Sequence, residues 1–296
     1  MRVVFIGCVE FSLKAIEHIL GHTSVTVCGI VTRRQSSVNA DFTSLEHLAQ
    51  QAGIPCFIPS GNQQEKMASW IEELKPDVVF CFGWSYLLKR EILQIPRLGV
   101  IGYHPAALPC NRGRHPIIWA LALGLERTAS TFFFMDDGAD SGDILNQEFL
   151  DIYPEDNARS LYYRLTDTAL NQIEVFVPRL ANGSFQRTAQ QHELATYWRK
   201  RSERDGIIDW RMSALSIHNL VRALTRPYPG AEFIREERHI KVWKSELADI
   251  RHDISNIEPG KVLEAADGSL TVKCGEGALR ILEHDLNQLP EPGDYL

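Results

Sequence analysis

The chain has 296 residues, 44% hydrophobic and 23% charged, ordinary proportions for a globular protein of two domains or one large one. A formal charge of −7 and a pI near 5.8 exclude a global basic field drawing it to nucleic acid or an acidic membrane. No apolar run reaches the roughly 18 residues of a transmembrane helix, and the N-terminal MRVVFIGCVEF reads as a first strand, not a signal peptide.

The first half alternates strand and helix. Val3–Ile6 is a strand, and apolar residues at Phe11, Leu13, Ala15, Ile16, Ile19 and Leu20 make a helical face. A strand over Val25–Val31 follows. A helix is expected over Thr43–Ala52, with Thr43 or Ser44 as N-cap and Gly53 as stop. Then come a short strand at Pro55–Ile58, a helix at Lys66–Leu74, and Asp77–Phe82 (DVVFCF). That last run is continuously apolar, as a strand in the middle of a parallel sheet must be. A short helix around Ile92–Ile95 leads to a strand opening at Val100. This spacing predicts βαβ units and a doubly wound parallel sheet, with ligands beyond the carboxyl ends of the strands. Gly83-Trp84-Ser85-Tyr86 and Gly102-Tyr103-His104-Pro105 lie at two such ends and point to one crevice. The first turn, Gly7-Cys8-Val9-Glu10, lacks the dinucleotide fingerprint.

Further strands are expected at Ser130–Met135 and Ile144–Leu150, joined by the acidic, glycine-bearing loop 136–143, and a long helix at Asn157–Leu180 ends at Gly183. The polar stretch 192–206 reads as a connection, and its Arg199-Lys200-Arg201 as solvated. After a helix at Met212–Ala223, five short runs between 231 and 282, separated by turns such as Asp267-Gly268, suggest a small barrel. Trp119 and Trp210 are expected in the core. Cys8, Cys28, Cys56, Cys81, Cys110 and Cys274 are scattered without C-x-x-C. They read as reduced, buried thiols of a reducing compartment.

His104 ends a strand, is stiffened by Pro105 and Pro109, and is followed by Arg112 and Arg114, whose guanidinium groups suit carboxylate or phosphate. Asp140 sits in a glycine-rich loop after a strand that could end at the same crevice. His, Asp and Arg in one cleft would form an acid–base site with an anion pocket. No nucleophile elbow and no metal-ligand spacing is present, so direct group transfer is favoured over an acyl-enzyme.

GYHPAALP-CNRGRHP-IIWAL, followed by MDDGADSGDIL, resembles the folate-dependent formyltransferases along the whole chain. That family carries Asn-x-His, a Leu-Pro turn, Arg-Gly, and an Asp in a G-x-D-x-G-x-I loop. The similarity is greatest to its sugar N-formyltransferases, including the formyltransferase domain of the lipid A modification enzyme acting on 4-amino-4-deoxyarabinose. It implies an α/β fold: a Rossmann-like parallel-sheet formyltransferase domain over 1–190, a linker over 191–205, and a β-rich, barrel-like (OB-like) subdomain over 206–296. It also implies 10-formyltetrahydrofolate as donor. The pterin would lie near Tyr86, Leu87 and Leu88, with Arg114 and the loop Asp136, Asp137, Gly138, Ala139 and Asp140 lining the site.

By the same resemblance His104 and Asp140 are the catalytic pair, no metal is used, and the acceptor is the amine of a nucleotide-linked amino sugar. A cytoplasmic place in lipopolysaccharide biosynthesis and pairing into homodimers are implied as well. Methionyl-tRNA formyltransferase shares the layout but carries a longer basic insertion after the second strand. Here Thr32–Phe42 (TRRQSSVNADF) is short, with two arginines, which disfavours tRNA and nucleic acid generally. The chain departs from the family at Gly102, where the family's Asn would offer its amide to the formyl oxygen. Either another group supplies that donor (a backbone N–H, a water, protonated His104, or the Ser130 or Thr131 hydroxyl), or the chain is a weakly active or inactive ligand-binding relative.

Overall fold

In a computed structural model, residues 1–36, 40–61, 63–250 and 252–296 are described. They form two compact units. One comprises Met1–Gly113, Thr128–Leu150 and Arg164–Trp198, the other Arg114–Arg127, Asp151–Tyr163 and Arg199–Leu296. Among the described residues no helix is long and apolar enough to cross a membrane, and none of the six cysteines is in a disulfide.

The first unit begins with β1 (Arg2–Ile6), α1 (Glu10–Leu20), β2 (Thr26–Val31), α2 (Glu46–Gln51), β3 (Cys56–Phe57), α3 (Gln64–Leu74), β4 (Val78–Cys81), α4 (Arg90–Leu93) and β5 (Val100–His104). After β6 (Arg112–Gly113), the chain makes α5 (Pro116–Ala122) of the second unit and returns for β7 (Arg127–Phe134) and β8 (Ile144–Asp151). Then come α6 (Ala158–Asn182), which joins this unit from Arg164 on, and β9 (Tyr197–Trp198). The sheet order is β3-β2-β1-β4-β5-β7-β8. The first five strands are parallel, and β7 runs antiparallel to β5.

The unbroken apolar run of β4 is explained by burial of both its faces. Val79 and Cys81 pack with Val4, Ile6, Met67, Ile71 and Ile92. Phe80 and Phe82 point the other way, into an aromatic cluster with Phe5, Phe132 and Phe176 of α6. Each such fully buried side chain stabilises the fold by about 1.5–3 kcal/mol. Burial also pushes the Cys81 thiol well up from its usual range.

The helix expected over Thr43–Ala52 starts only at Glu46. Leu45 takes the N-cap position, although the Ser44 hydroxyl accepts from the Glu46 N–H at 3.3 Å; Thr43 is held elsewhere, where Phe42 bridges Val9 and the Thr43 N–H donates to the Cys8 carbonyl at 3.0 Å. Of Thr32–Phe42, positions 37–39 lie outside the described residues.

The second unit adds α7 (Ala214–Leu224), β10 (Ala231–Arg235), β11 (Arg238–Leu247), β12 (Val262–Ala266), β13 (Ser269–Lys273) and β14 (Ala278–His284). The strands form an antiparallel sheet in the order β10-β11-β14-β13-β12. The last residues link its two edges: Asp294 accepts from the Val262 N–H at 2.9 Å and pairs with Arg235 at 3.2 Å. Ser213 caps α7 by accepting from the Ser216 N–H. Trp210 is a core residue against Phe233. Trp119 is not: it is half-buried, with the guanidinium groups of Arg199 and Arg201 over its ring at 5.2 and 4.7 Å. Arg201 is half-buried there, whereas Arg199 and Lys200 are exposed as expected, Arg199 also pairing with Asp205.

Two histidines of this unit are held below their ordinary value of 6.5. Burial is the main cause for both, aided by Arg222 at His218 and by Arg114, Arg201 and Lys200 at His115. The folded unit thus takes up these protons less readily than the unfolded chain. Their stabilising contribution is complete above pH 6.5 and is lost as pH falls through the lower folded values. The melting temperature should therefore drop between pH 7.5 and pH 5, by roughly a few degrees. A His115→Asn/His218→Gln variant should show a flatter profile by calorimetry. Asn suits position 115 because its φ is +57°.

Candidate active site

His104 is the last residue of β5, and Gly102 pairs with Cys81 at the end of β4. The two strands are parallel, so the segments following them leave the same edge of the sheet. The chain turns at once after His104. Ala106 N–H donates to the His104 carbonyl, and Leu108 N–H to the Ala106 carbonyl. Leu108–Pro109 is cis.

The imidazole is buried, with 6% of its side chain exposed. Its Nε2 lies 2.8 Å from the Asn111 carbonyl, and its Nδ1 faces Asp140 Oδ2 at 3.6 Å. A carbonyl only accepts, so Nε2 carries the hydrogen. Nδ1 is then the nitrogen left to exchange a proton beside a carboxylate.

Asp140 is reached through a loop under close constraint. Its own φ is +54°. A Cβ on Gly142 would sit 1.8 Å from the Phe134 carbonyl oxygen, so only glycine fits there. Asp136 Oδ1 accepts from the Gly138 N–H and the Ser141 hydroxyl, tying the loop upon itself. Asp140 Oδ2 accepts from the Gly113 N–H at 2.8 Å. Gln190 donates to the carbonyls of Asp140 and Gly142 and accepts from Arg112. Arg112, 1% exposed, also reaches the Tyr197 hydroxyl and His192 Nδ1. The expectation that Arg112 offers an anion site is thus corrected: its guanidinium is spent inside the unit, bracing the strand pair β6–β9 and the Asp140 loop. Gln190 and Tyr197 carry no motif, and folding alone brings them to Arg112 from 78 and 85 residues away, whereas Asn111 stands seven residues past His104 within the CNRGRHP stretch.

At Gly102 the structure is explicit. A Cβ there would meet the Phe133 ring at 2.9 Å and Met135 at 3.0 Å. Phe133 is the cross-strand partner of Gly102 on β7 and is 3% exposed. An apolar ring thus covers the glycine where the family's amide side chain would begin. Two substitutes are removed as well. Ser130 and Thr131 are fully buried, and their hydroxyls donate to Tyr103 and to the Ala106 carbonyl.

The loop after β4 has two faces. Tyr86 and Leu87 are exposed at 43% and 66%, whereas Leu88 is a core residue at 7%, a burial that does not favour ligand contact. Arg33 lies over the Trp84 and Tyr86 rings at 5.1 and 4.3 Å, and together with Gln64 and Met67 they line a small cleft. Trp84 Nε1 is buried there without a hydrogen-bond partner. Asp137 and Gly138 are exposed on the Asp140 loop, with Ala139 half-buried. Arg114 belongs to the second unit, where it precedes His115 and α5.

Residues 1–176 match the Formyl transferase family and residues 200–290 the Formyl transferase C-terminal domain. A methionyl-tRNA formyltransferase of Caldanaerobacter subterraneus subsp. tengcongensis is 33% identical over 288 residues, covering 96% of this chain and 91% of that protein. Among solved structures, an N-formyltransferase from Helicobacter canadensis with folinic acid and dTDP-3-aminofucose superposes with a TM-score of 0.73 at 18% identity, covering 96% of this chain and all of that one. WlaRD, a sugar 3N-formyl transferase solved with dTDP and 5-N-formyl-THF, gives 0.71 at 19%, covering 98% and 99%. At these identities the two structures speak for the fold.

Proposed function

This chain belongs to the formyl transferase family, and on that premise we propose that it moves a formyl group from 10-formyltetrahydrofolate to the amine of a nucleotide-linked amino sugar. The observation that carries the chemistry is His104 Nδ1 facing Asp140 Oδ2 at the carboxyl end of a parallel sheet. The donor fits the loop after β4: Trp84 Nε1 awaits an acceptor, and Tyr86 and Leu87 offer apolar surface to a pterin. Bound there, it supplies the formyl carbon. The loop Asp136–Asp140 is read as the other wall.

The amine nitrogen bonds to the formyl carbon, the bond from that carbon to N10 of the donor breaks, and the proton the amine loses passes by way of His104 to N10, which leaves as tetrahydrofolate. His104 Nδ1 takes that proton, and the charge this creates on the ring is met by Asp140, itself fixed by the Gly113 N–H. Asn111 holds the ring from the other side, so that Nδ1 stays aimed. With Gly102 lacking a side chain and the Ser130 and Thr131 hydroxyls engaged, a backbone N–H, a water or the Nδ1–H of protonated His104 is left to stabilise the oxyanion.

The acidic balance of the chain and the short segment 32–42 support a sugar nucleotide. The 33%-identical relative favours methionyl-tRNA as a second reading. Against it stands the net charge of −7, since a protein gripping an RNA backbone relies on many cationic contacts. We take residues 1–190 as the catalytic domain and 206–296 as the β-rich subdomain around a linker at 191–205. We take the chain's setting as cytoplasmic. The test is formyl transfer by the full chain to dTDP-, UDP- and GDP-linked amino sugars and to methionyl-tRNA, read by mass. A sugar nucleotide should gain one formyl group. Transfer to methionyl-tRNA alone overturns the acceptor, and transfer to none overturns the reading.

A further inference from the structure

His18 lies in the last turn of α1. His22 follows two residues past its end, where its N–H donates to the Ile19 carbonyl. The i,i+4 spacing brings both rings to one side of the helix end. There they meet Glu174 of α6, whose Oε1 is 2.5 Å from His18 Nε2 and 3.5 Å from His22 Nε2. One donor atom from each of the three residues lies within 4.8 Å of the others. Both Nε2 atoms are shut off from solvent and neither makes a hydrogen bond, so the carboxylate oxygen stands near both but out of alignment with either. The rings are inclined at 71° with centroids 6.0 Å apart, converging by their edges and not stacked. Two buried nitrogens aimed at one carboxylate without hydrogen bonding to it are better satisfied by a cation that all three can ligate.

We propose that His18, His22 and Glu174 form a binding site for a zinc-class divalent cation that fastens the end of α1 to α6. Two imidazoles and one carboxylate suit zinc and its neighbours in the first transition row, and leave a fourth position for water. With bonds of about 2.0–2.2 Å, tetrahedral donors stand roughly 3.3–3.5 Å apart. The His22–Glu174 separation of 3.5 Å already meets this. The closer His18 contact opens by a turn of the Glu174 side chain, which is 54% exposed. No metal motif marks the site in the sequence, because Glu174 is on a different helix. The site uses neither His104 nor Asp140, and it stands whether or not the acceptor is a sugar nucleotide.

The test is titration of the chelator-treated full chain with Co²⁺ alone, then with Zn²⁺. Expected are one Co²⁺ per chain with visible ligand-field bands and no thiolate charge transfer, displacement by Zn²⁺, and a melting temperature raised by roughly several degrees at saturating Zn²⁺. Glu174→Gln and His18→Ala/His22→Ala should weaken binding by at least about 10–100-fold, the loss seen when mere outer-shell partners are removed. Glu174→Gln changes only an exposed side chain, so it reads binding in a folded protein even if the double variant unfolds. No saturable binding by the parent chain, or binding unchanged in Glu174→Gln, overturns the proposal.

Discussion

Replacing His104 by alanine should lower formyl transfer by about 10²–10⁴-fold, the range lost with a positioned acid–base group. The effect should fall on kcat, because the polar partners of the ring are Asn111 and Asp140 and not the loop after β4 proposed to hold the donor. A buried histidine that merely fills space would behave otherwise, costing stability while leaving the pH dependence of turnover intact. The two roles separate in one experiment. If His104 takes the amine's proton, the acidic limb of the kcat profile disappears in His104→Ala and is altered in Asp140→Asn. Asp140→Asn keeps an acceptor for the Gly113 N–H and the loop's Gln190 bonds, which run through backbone carbonyls. It should therefore fold as the parent does and still lose rate. A His104→Ala chain with parental kcat and pH profile would remove this residue from the chemistry.

Gly102→Asn should not restore an oxyanion donor. Its Cβ would stand 2.9–3.0 Å from the Phe133 ring, tighter than ordinary carbon contacts, and Phe133 is buried with nowhere simple to turn. The expected result is overpacking, with a loss of about 1–3 kcal/mol in denaturant unfolding and no gain in rate. Gly102→Asn/Phe133→Ala removes the obstructing ring. If a side-chain amide at this position is what the reaction lacks, the double variant should gain up to about 10²–10³-fold over Phe133→Ala alone. A gain from Gly102→Asn alone would mean that Phe133 does not occupy the amide's place. A double variant no faster than Phe133→Ala would mean that this chain meets the oxyanion from elsewhere, by a backbone N–H, a water or protonated His104. The glycine and the phenylalanine are thus best treated as one cross-strand feature. The ring covers a position that has no side chain of its own, and neither residue has a separate meaning.

Most of this was open to a reader of the sequence, for a physical reason. The DVVFCF run, the alternating strands and helices before it and the short strands after 231 are local patterns of burial, and burial periodicity is written along the chain. The same holds for His104 and Asp140, which stand next to glycines and prolines that fix the backbone locally. The helix misplaced at Thr43 shows the limit: that residue is a good cap by type, but the bridge of Phe42 to Val9 claimed the backbone there first.

The rest depended on residues distant in the chain meeting in space. Arg112 has the side chain of an anion ligand, and only Gln190, Tyr197 and His192 turn it into a brace. Ser130 and Thr131 had hydroxyls to offer until Tyr103 and the Ala106 carbonyl took them. The meaning of Gly102 rests on which residue of β7 lies opposite, a matter of register between antiparallel strands. Glu174 finds His18 and His22 only because α6 packs where it does. Composition and periodicity set what each segment buries. Hydrogen-bond partners, and with them the function left to each polar group, follow from which segments the folded chain brings together.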